Sequence, residues 1–191
     1  MTAPPAQILQ ALLDEQPQGF HVVEVPDGQG TTATVEAMSQ LAMEGAHGPH
    51  VIQLARDIVS RAPSHDQEGM VQAIFDWVRE NVRYTPDPRG MELVQTPGVT
   101  AWVAGAGDCD DHAVLVCALA MAVGFGASFR VVATDPSRPD EASHVYALVG
   151  FRSEGGPKWV ALDTTRPNEP IGWEPPPDRV MGLWDFPLAA A

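Results

Sequence analysis

A chain of 191 residues is long enough for one domain, two at most. At that length it buries roughly 70% of the surface its unfolded form exposes, so neither disulfides nor a metal is needed to fold it. The composition, 45% hydrophobic and 19% charged, is globular, and 11 basic against 25 acidic residues (net charge −14) cannot assemble a basic patch, which excludes nucleic acid and anionic membrane surfaces as expected partners.

The start, Met1-Thr2-Ala3-Pro4-Pro5, lacks the basic and apolar regions of a targeting signal, and no uncharged apolar stretch reaches ~18 residues, so a cytoplasmic location is expected. Residues 6–14 read as a short helix and Phe20–Val25 as a strand ended by the turn Pro26-Asp27-Gly28. Residues 31–45 fit helix and strand equally. Pro49 can open a helix running to Ser60 with Val51, Ile52, Ala55, Ile58 and Val59 on one stripe. Ser64 and Gln67 have the spacing of a capping box, and the helix after them carries Val71, Ile74, Phe75, Val78 and Val82. A loop is expected from Asp87 to Gly107.

From Asp108 the pattern changes. Ala113–Val123 holds no charge and is apolar all round, as in a buried helix, with Gly124 as its stop. Three strand candidates follow, Ser128–Thr134, His144–Phe151 and Lys158–Thr164. The tail after Thr165 holds Pro175-Pro176-Pro177 and can be neither regular helix nor central strand. Helices first and a meander of strands after them make an α+β fold. The expected division is an N-terminal extension (1–63), a core (64–165) and a proline-rich strap (166–191).

The chemistry concentrates at Gly107-Asp108-Cys109-Asp110-Asp111-His112. Asp108 suits an N-cap, which puts Cys109 at the first helical position, where unpaired N–H groups and the helix dipole favour a thiolate and can bind an oxyanion. The three aspartates oppose that effect, so a cationic partner is required. His144, opening an alternating apolar strand, is the natural one. A turn centred between Ser153 and Glu154 sets Asp163 directly opposite it, as an orienting group. A shift of two residues leaves the pair diagonal and within reach; a shift of one puts them on opposite faces.

Other readings compete at this segment. His112, three residues after Cys109, is the rival base, and Asp108, Cys109 and His112 could share a metal. No second Cys or His pair at ligand spacing supports zinc, so no metal and no cofactor is expected. Cys117 reads as core, and eight residues of helix set it about 12 Å from Cys109, too far for a disulfide. Two free thiols suit a reducing compartment. Trp77 and Trp159 are expected in the core and Tyr146 packed beside the site. His21, His47, His50 and His65 are expected at the surface. Trp173, Trp184 and Phe186 are expected in a tail that straps the core or closes over the cleft.

Cys, His and Asp in this order on helix, strand and strand resemble the transglutaminase-like superfamily with its papain-like fold. The resemblance rests on Gly107-Asp108-Cys109 opening a helix, His144-Val145-Tyr146, and Trp159-Val160-Ala161-Leu162-Asp163-Thr164-Thr165 as a W-x-x-x-D-x-T end. The helix ending Trp77-Val78-Arg79-Glu80-Asn81-Val82-Arg83-Tyr84 is similar to the one before the core in these proteins. The Asp-Cys-Asp-Asp run, with Glu92 and Gln95-Thr96-Pro97 upstream, is most similar to the short phage-type or bacterial cysteine peptidases of that superfamily.

The resemblance implies a triad of Cys109 as nucleophile, His144 as base and then acid, and Asp163 as orienter. It implies acyl transfer through a thioester, with Gln95 or Trp102 as the second oxyanion donor. Water as acceptor makes a peptidase or amidase; an amine makes a transamidase. The implied partner is a protein or peptide substrate. The non-enzymatic alternative is a phage virion, assembly or protein-binding module that keeps the fold, with a phage structural protein as partner and a virion-associated location.

Overall fold

Three amphipathic helices enclose a fourth that has no polar face. The computed structural model describes residues 22–25, 30–88 and 90–188. The ambiguous segment after the turn is helix α1 (Gly30–Ala46), burying Val35, Met38, Leu41 and Ala42. Helix α2 (Pro49–Val59) opens on its proline and buries Val51, Ala55 and Ile58. Helix α3 (Gln67–Asn81) buries Val71, Ile74, Phe75 and Val78. Its cap is Asp66, whose carboxylate accepts the Gly69 N–H at 2.9 Å, and not the expected Ser64. Asp66 is one residue before the helix, where a side-chain oxygen reaches the free N–H groups. Helix α4 (Cys109–Ala122) runs through the middle, with Ala113–Ala120 at most 2% exposed. From Ala113 on, this helix carries no charge and no polar stripe, which satisfies burial from every side, and α1, α2, α3 and the main sheet all pack on it in one continuous core. Cys117 lies wholly inside that core, its thiol facing the Ser128 carbonyl at 3.8 Å.

The main sheet is antiparallel in the order β7-β6-β5-β8, with β5 at Gly126–Ala133, β6 at His144–Ser153, β7 at Gly156–Leu162 and β8 at Gly182–Leu188. Alternation along β6 sends Val145, Ala147 and Val149 toward α4, while Tyr146 and Leu148 pack on the opposite face with Val132, Ala161 and Val180. Ser153 pairs with Gly156 and Ala147 with Leu162, so the register lies two residues from the one expected and Asp163 is diagonal to His144, on its face of the sheet.

Two expectations are corrected here. Trp159 is not core: it is 54% exposed, its ring lying over Gly126 and Gly150, where a Cβ on Gly150 would come within 2.8 Å of it. The tail is also more than a strap, because after its prolines it returns as β8 and pairs with β5. Pro187 restricts that strand to the edge position it occupies. Arg130 on β5 holds it there, donating to both oxygens of Asp185 (2.7 Å each) and to Glu174 (2.6 Å).

The stretch read as a loop contains two short pairings. Strand β1 (Val22–Val25) pairs antiparallel with β3 (Glu92–Gln95), and β2 (Arg83–Tyr84) pairs parallel with β4 (Ala106–Gly107). A π-helical turn, Val99–Ala104, lies between β3 and β4. No helix among the described residues is long and apolar enough to cross a membrane. The expected helix at 6–14, and Phe20 and His21, lie outside the described residues.

Candidate active site

The N-terminus of α4 is built as a knot of carboxylates. Asp108 is the N-cap and Cys109 the first helical residue, as the pattern requires. Asp111 is fully buried. Its Oδ1 accepts the Gln95 backbone N–H (2.7 Å); its Oδ2 accepts the Gln95 side-chain amide (2.7 Å) and the Asp108 N–H (3.2 Å). This one side chain therefore joins β3, the β4 exit and the start of α4. Gly107 is required beside it, because a Cβ there would stand 2.5 Å from Asp111.

Burial raises the Asp111 carboxyl to about 7, the N–H donors from Gln95 and Asp108 pulling against it and the charge of Asp108 adding to the rise. Asp110 is pushed up much further by burial, by its contact with the Asp108 carboxyl and by the Asp108 and Asp111 charges. The carboxylate oxygens of Asp108, Asp110 and Asp111 lie within 4.8 Å of one another, the spacing of a cation site. Both Asp111 oxygens accept N–H donors.

Cys109 is half-buried at the edge of this knot. Its thiol is held well above the usual range, first by burial and then by the charges of Asp108 and Asp110, against which the Val145 backbone N–H pulls. Burial and like charge thus hold the thiol up, which is the opposition expected of the aspartates.

His144 opens β6 and its Nε2–H donates to Asp163 Oδ2 at 2.7 Å. Asp163 lies just past the end of β7, its side chain only 2% exposed. Its Oδ1 accepts from the Thr165 hydroxyl (2.6 Å) and backbone N–H (3.2 Å). Burial pushes this carboxyl up, but the hydrogen bond and charge of His144, with the Thr165 donors, bring it below its ordinary value. Asp163 is thus ionised and fixed, and it sets which imidazole nitrogen is free: Nδ1. Cys109 and His144 line one cavity of about 360 Å³, with Glu92, Asp108 and Asp110 on its wall and Thr31, Thr34 and Met38 of α1 closing it.

The remaining candidates fall elsewhere. Gln95 gives its amide N–H groups to Asp111 and the Ala106 carbonyl, so its role is to hold the knot. Trp102 stands edge-on to His50 at 6.3 Å, and neither Gln95 nor Trp102 lines the cavity. His112 is buried, hydrogen-bonded to the Thr164 hydroxyl at 2.8 Å, and pushed down to about 4 chiefly by burial. It ties α4 to the segment carrying Asp163. Tyr146 is packed beside the site, its ring 5.8 Å from His144 and its hydroxyl donating to Glu174 at 2.9 Å.

Residue-by-residue reading missed the α1 wall, whose partners lie some 80 positions away. It also missed Arg166, which follows the Asp163 motif directly and comes within 3.7 Å of that carboxylate.

A family model for the transglutaminase-like superfamily matches residues 52–164. No curated protein matches the chain. Among solved structures, the chain is similar to a proposed cysteine protease from Cytophaga hutchinsonii (21% identity, TM-score 0.48, covering 73% of this chain and 41% of that one). It is also similar to a proposed protease from Parabacteroides distasonis (16% identity, TM-score 0.51, covering 66% of this chain and 25% of that one), a likeness of fold. The chain thus spans less than half the length of either protein.

Proposed function

Since the chain belongs to the transglutaminase-like superfamily, we propose that it is a cysteine acyl hydrolase acting on peptide or protein amides, with Cys109, His144 and Asp163 as its catalytic residues. The observation that carries this reading is the 2.7 Å bond from His144 to a buried, ionised Asp163, on a ring that lines the same cavity as Cys109.

With the thiol protonated at rest, attack and proton transfer go together. His144 Nδ1 takes the Sγ proton as sulfur adds to the substrate carbonyl carbon. The resulting oxyanion is met by the backbone N–H of Cys109, which has no partner within the helix. The C–N bond then breaks, the proton on His144 passes to the departing amine, and a thioester remains on Cys109. Water, deprotonated by the same ring, attacks the thioester and releases a carboxylic acid and the free thiol. An amine in place of water makes a new amide by the same steps. Asp163 holds the ring and stabilises the imidazolium.

The test is acylation by p-nitrophenyl acetate. A burst of p-nitrophenol with one acetyl group on Cys109, found by mass spectrometry, is expected. Cys109→Ala abolishes it, and His144→Ala lowers its rate by about 10²-fold or more. Acetylation of Cys117 instead, or none, would refute the assignment.

A further inference from the structure

His144 also lines a second cavity, which Cys109 does not reach. It measures about 490 Å³, within the usual range of ligand sites. One wall is the proline-rich tail, presenting Trp173, Pro175 and Pro176. The other contributes Arg166, and Arg179 stands on the short helical turn Pro177–Arg179.

Two of the 11 basic residues of a chain carrying −14 thus border one hollow beside the proposed base. Arg166 is held in place by Trp173, its guanidinium 5.6 Å from the indole centre, and by Asp163 at 3.7 Å. That contact uses one direction of a group with five donors. Arg179 makes no ion pair among the described residues. Asp178 is the one carboxylate side chain on this lining. Across His144 the sign reverses: the Cys109 cavity carries Glu92, Asp108 and Asp110 and no lysine or arginine.

A general acid must stand between the nucleophile and the leaving group, because it takes a proton from one and gives it to the other. His144 borders both cavities and Cys109 only the acidic one, so the acyl fragment belongs in the acidic cavity and the departing amine in the arginine-bordered one. We infer that the cavity between the tail and Arg166 binds the carboxylate of the leaving fragment, so that the substrates are peptides cut shortly before a negative charge. Arg166 and Arg179 would hold that carboxylate while Trp173 and the prolines cover the backbone leading to it. A peptide entered the other way round would set its carboxylate against Glu92 and Asp108. This assignment of direction rests on the proposed roles of Cys109 and His144; the binding of a carboxylate does not.

The test is equilibrium binding to the Cys109→Ala protein, repeated on native protein alkylated at Cys109 in case that variant misfolds. Three probes are titrated by calorimetry: acetyl-Ala-Ala-Ala as the free acid, the same peptide as its amide, and acetyl-Ala-Ala-Asp amide. At least one acid is expected to bind about tenfold more tightly than the neutral amide. Which acid does so distinguishes a chain terminus from an acidic side chain. Arg179→Gln should remove most of that difference, and 0.5 M salt should shrink it. Equal affinity for all three probes, no binding of any, or a preference untouched by Arg179→Gln would overturn the inference. The p-nitrophenyl acetate burst reads the cysteine chemistry separately, since that ester carries no carboxylate.

Discussion

Cys109 sits where the helix N-terminus favours a thiolate while burial among carboxylates pushes the thiol up. In the proposed mechanism the reactive state is made during attack, which places the demand on how well His144 is held. The structure meets that demand through a chain of short contacts from Thr165 to Asp163 to His144. A second histidine supports the same arrangement without lining the cavity. His112 is kept neutral by burial, its pKa lowered to about 4, and binds Thr164 next to Asp163. Between that value and the ordinary value near 6.5 the unfolded chain binds the extra proton and the folded one does not. Its contribution to stability is therefore complete above about pH 6.5 and is lost as pH falls toward 4. His112→Asn retains a hydrogen-bonding group for Thr164 and cannot titrate. Urea unfolding of the two proteins from pH 7.5 to 4 should show the native protein losing stability more steeply through that window. Parallel curves would mean that His112 is not held neutral.

Single positions at element ends decide where the helices begin. Ser64, Asp66 and Gln67 all have capping chemistry, and spacing alone favoured Ser64 with Gln67. The chain starts α3 one residue after Asp66, whose carboxylate meets Gly69. Asp66→Ala should cost about 1 kcal/mol in urea unfolding and Ser64→Ala close to nothing. The reverse order would restore the Ser64 cap. At α4 the pattern was unambiguous, because Gly107, Asp108 and Asp111 each have a local role that only this start satisfies. The β6–β7 hairpin lies between these cases. Its turn is Glu154-Gly155, with Gly156 at φ +110°, a conformation that favours glycine, and the register moves by two residues. A period of two keeps His144 and Asp163 on one face, so the error left the pair intact.

Across the molecule, the tail completes the sheet and walls the second cavity, and Arg130 couples the two. Its bonds to Asp185 hold β8; its bond to Glu174, which also accepts from Tyr146, holds the stretch beside Trp173. Arg130→Lys keeps the charge and loses the two-pronged geometry. It should lower stability by about 1–2 kcal/mol and speed hydrogen exchange in residues 182–188 ahead of β5 and β6. Exchange that rises evenly over the whole sheet would mean that the tail is not held separately. The N-terminal side is equally integral, since α1 packs on α4 and closes the Cys109 cavity.

What the sequence alone determined was what short range can encode. The charge-free run made α4 the buried centre, Asp108 set Cys109 at its first turn, and alternation made the strands and kept His144 and Asp163 together. The tertiary structure alone decided the direction of the Cys109 shift, the absence of Gln95 and Trp102 from the cavity, the α1 wall and the arginine-bordered hollow beneath the tail. Each of these depends on burial and on charges brought together from distant parts of the chain. Desolvation and Coulomb interactions act through space, and neither composition nor periodicity records which residues will share it.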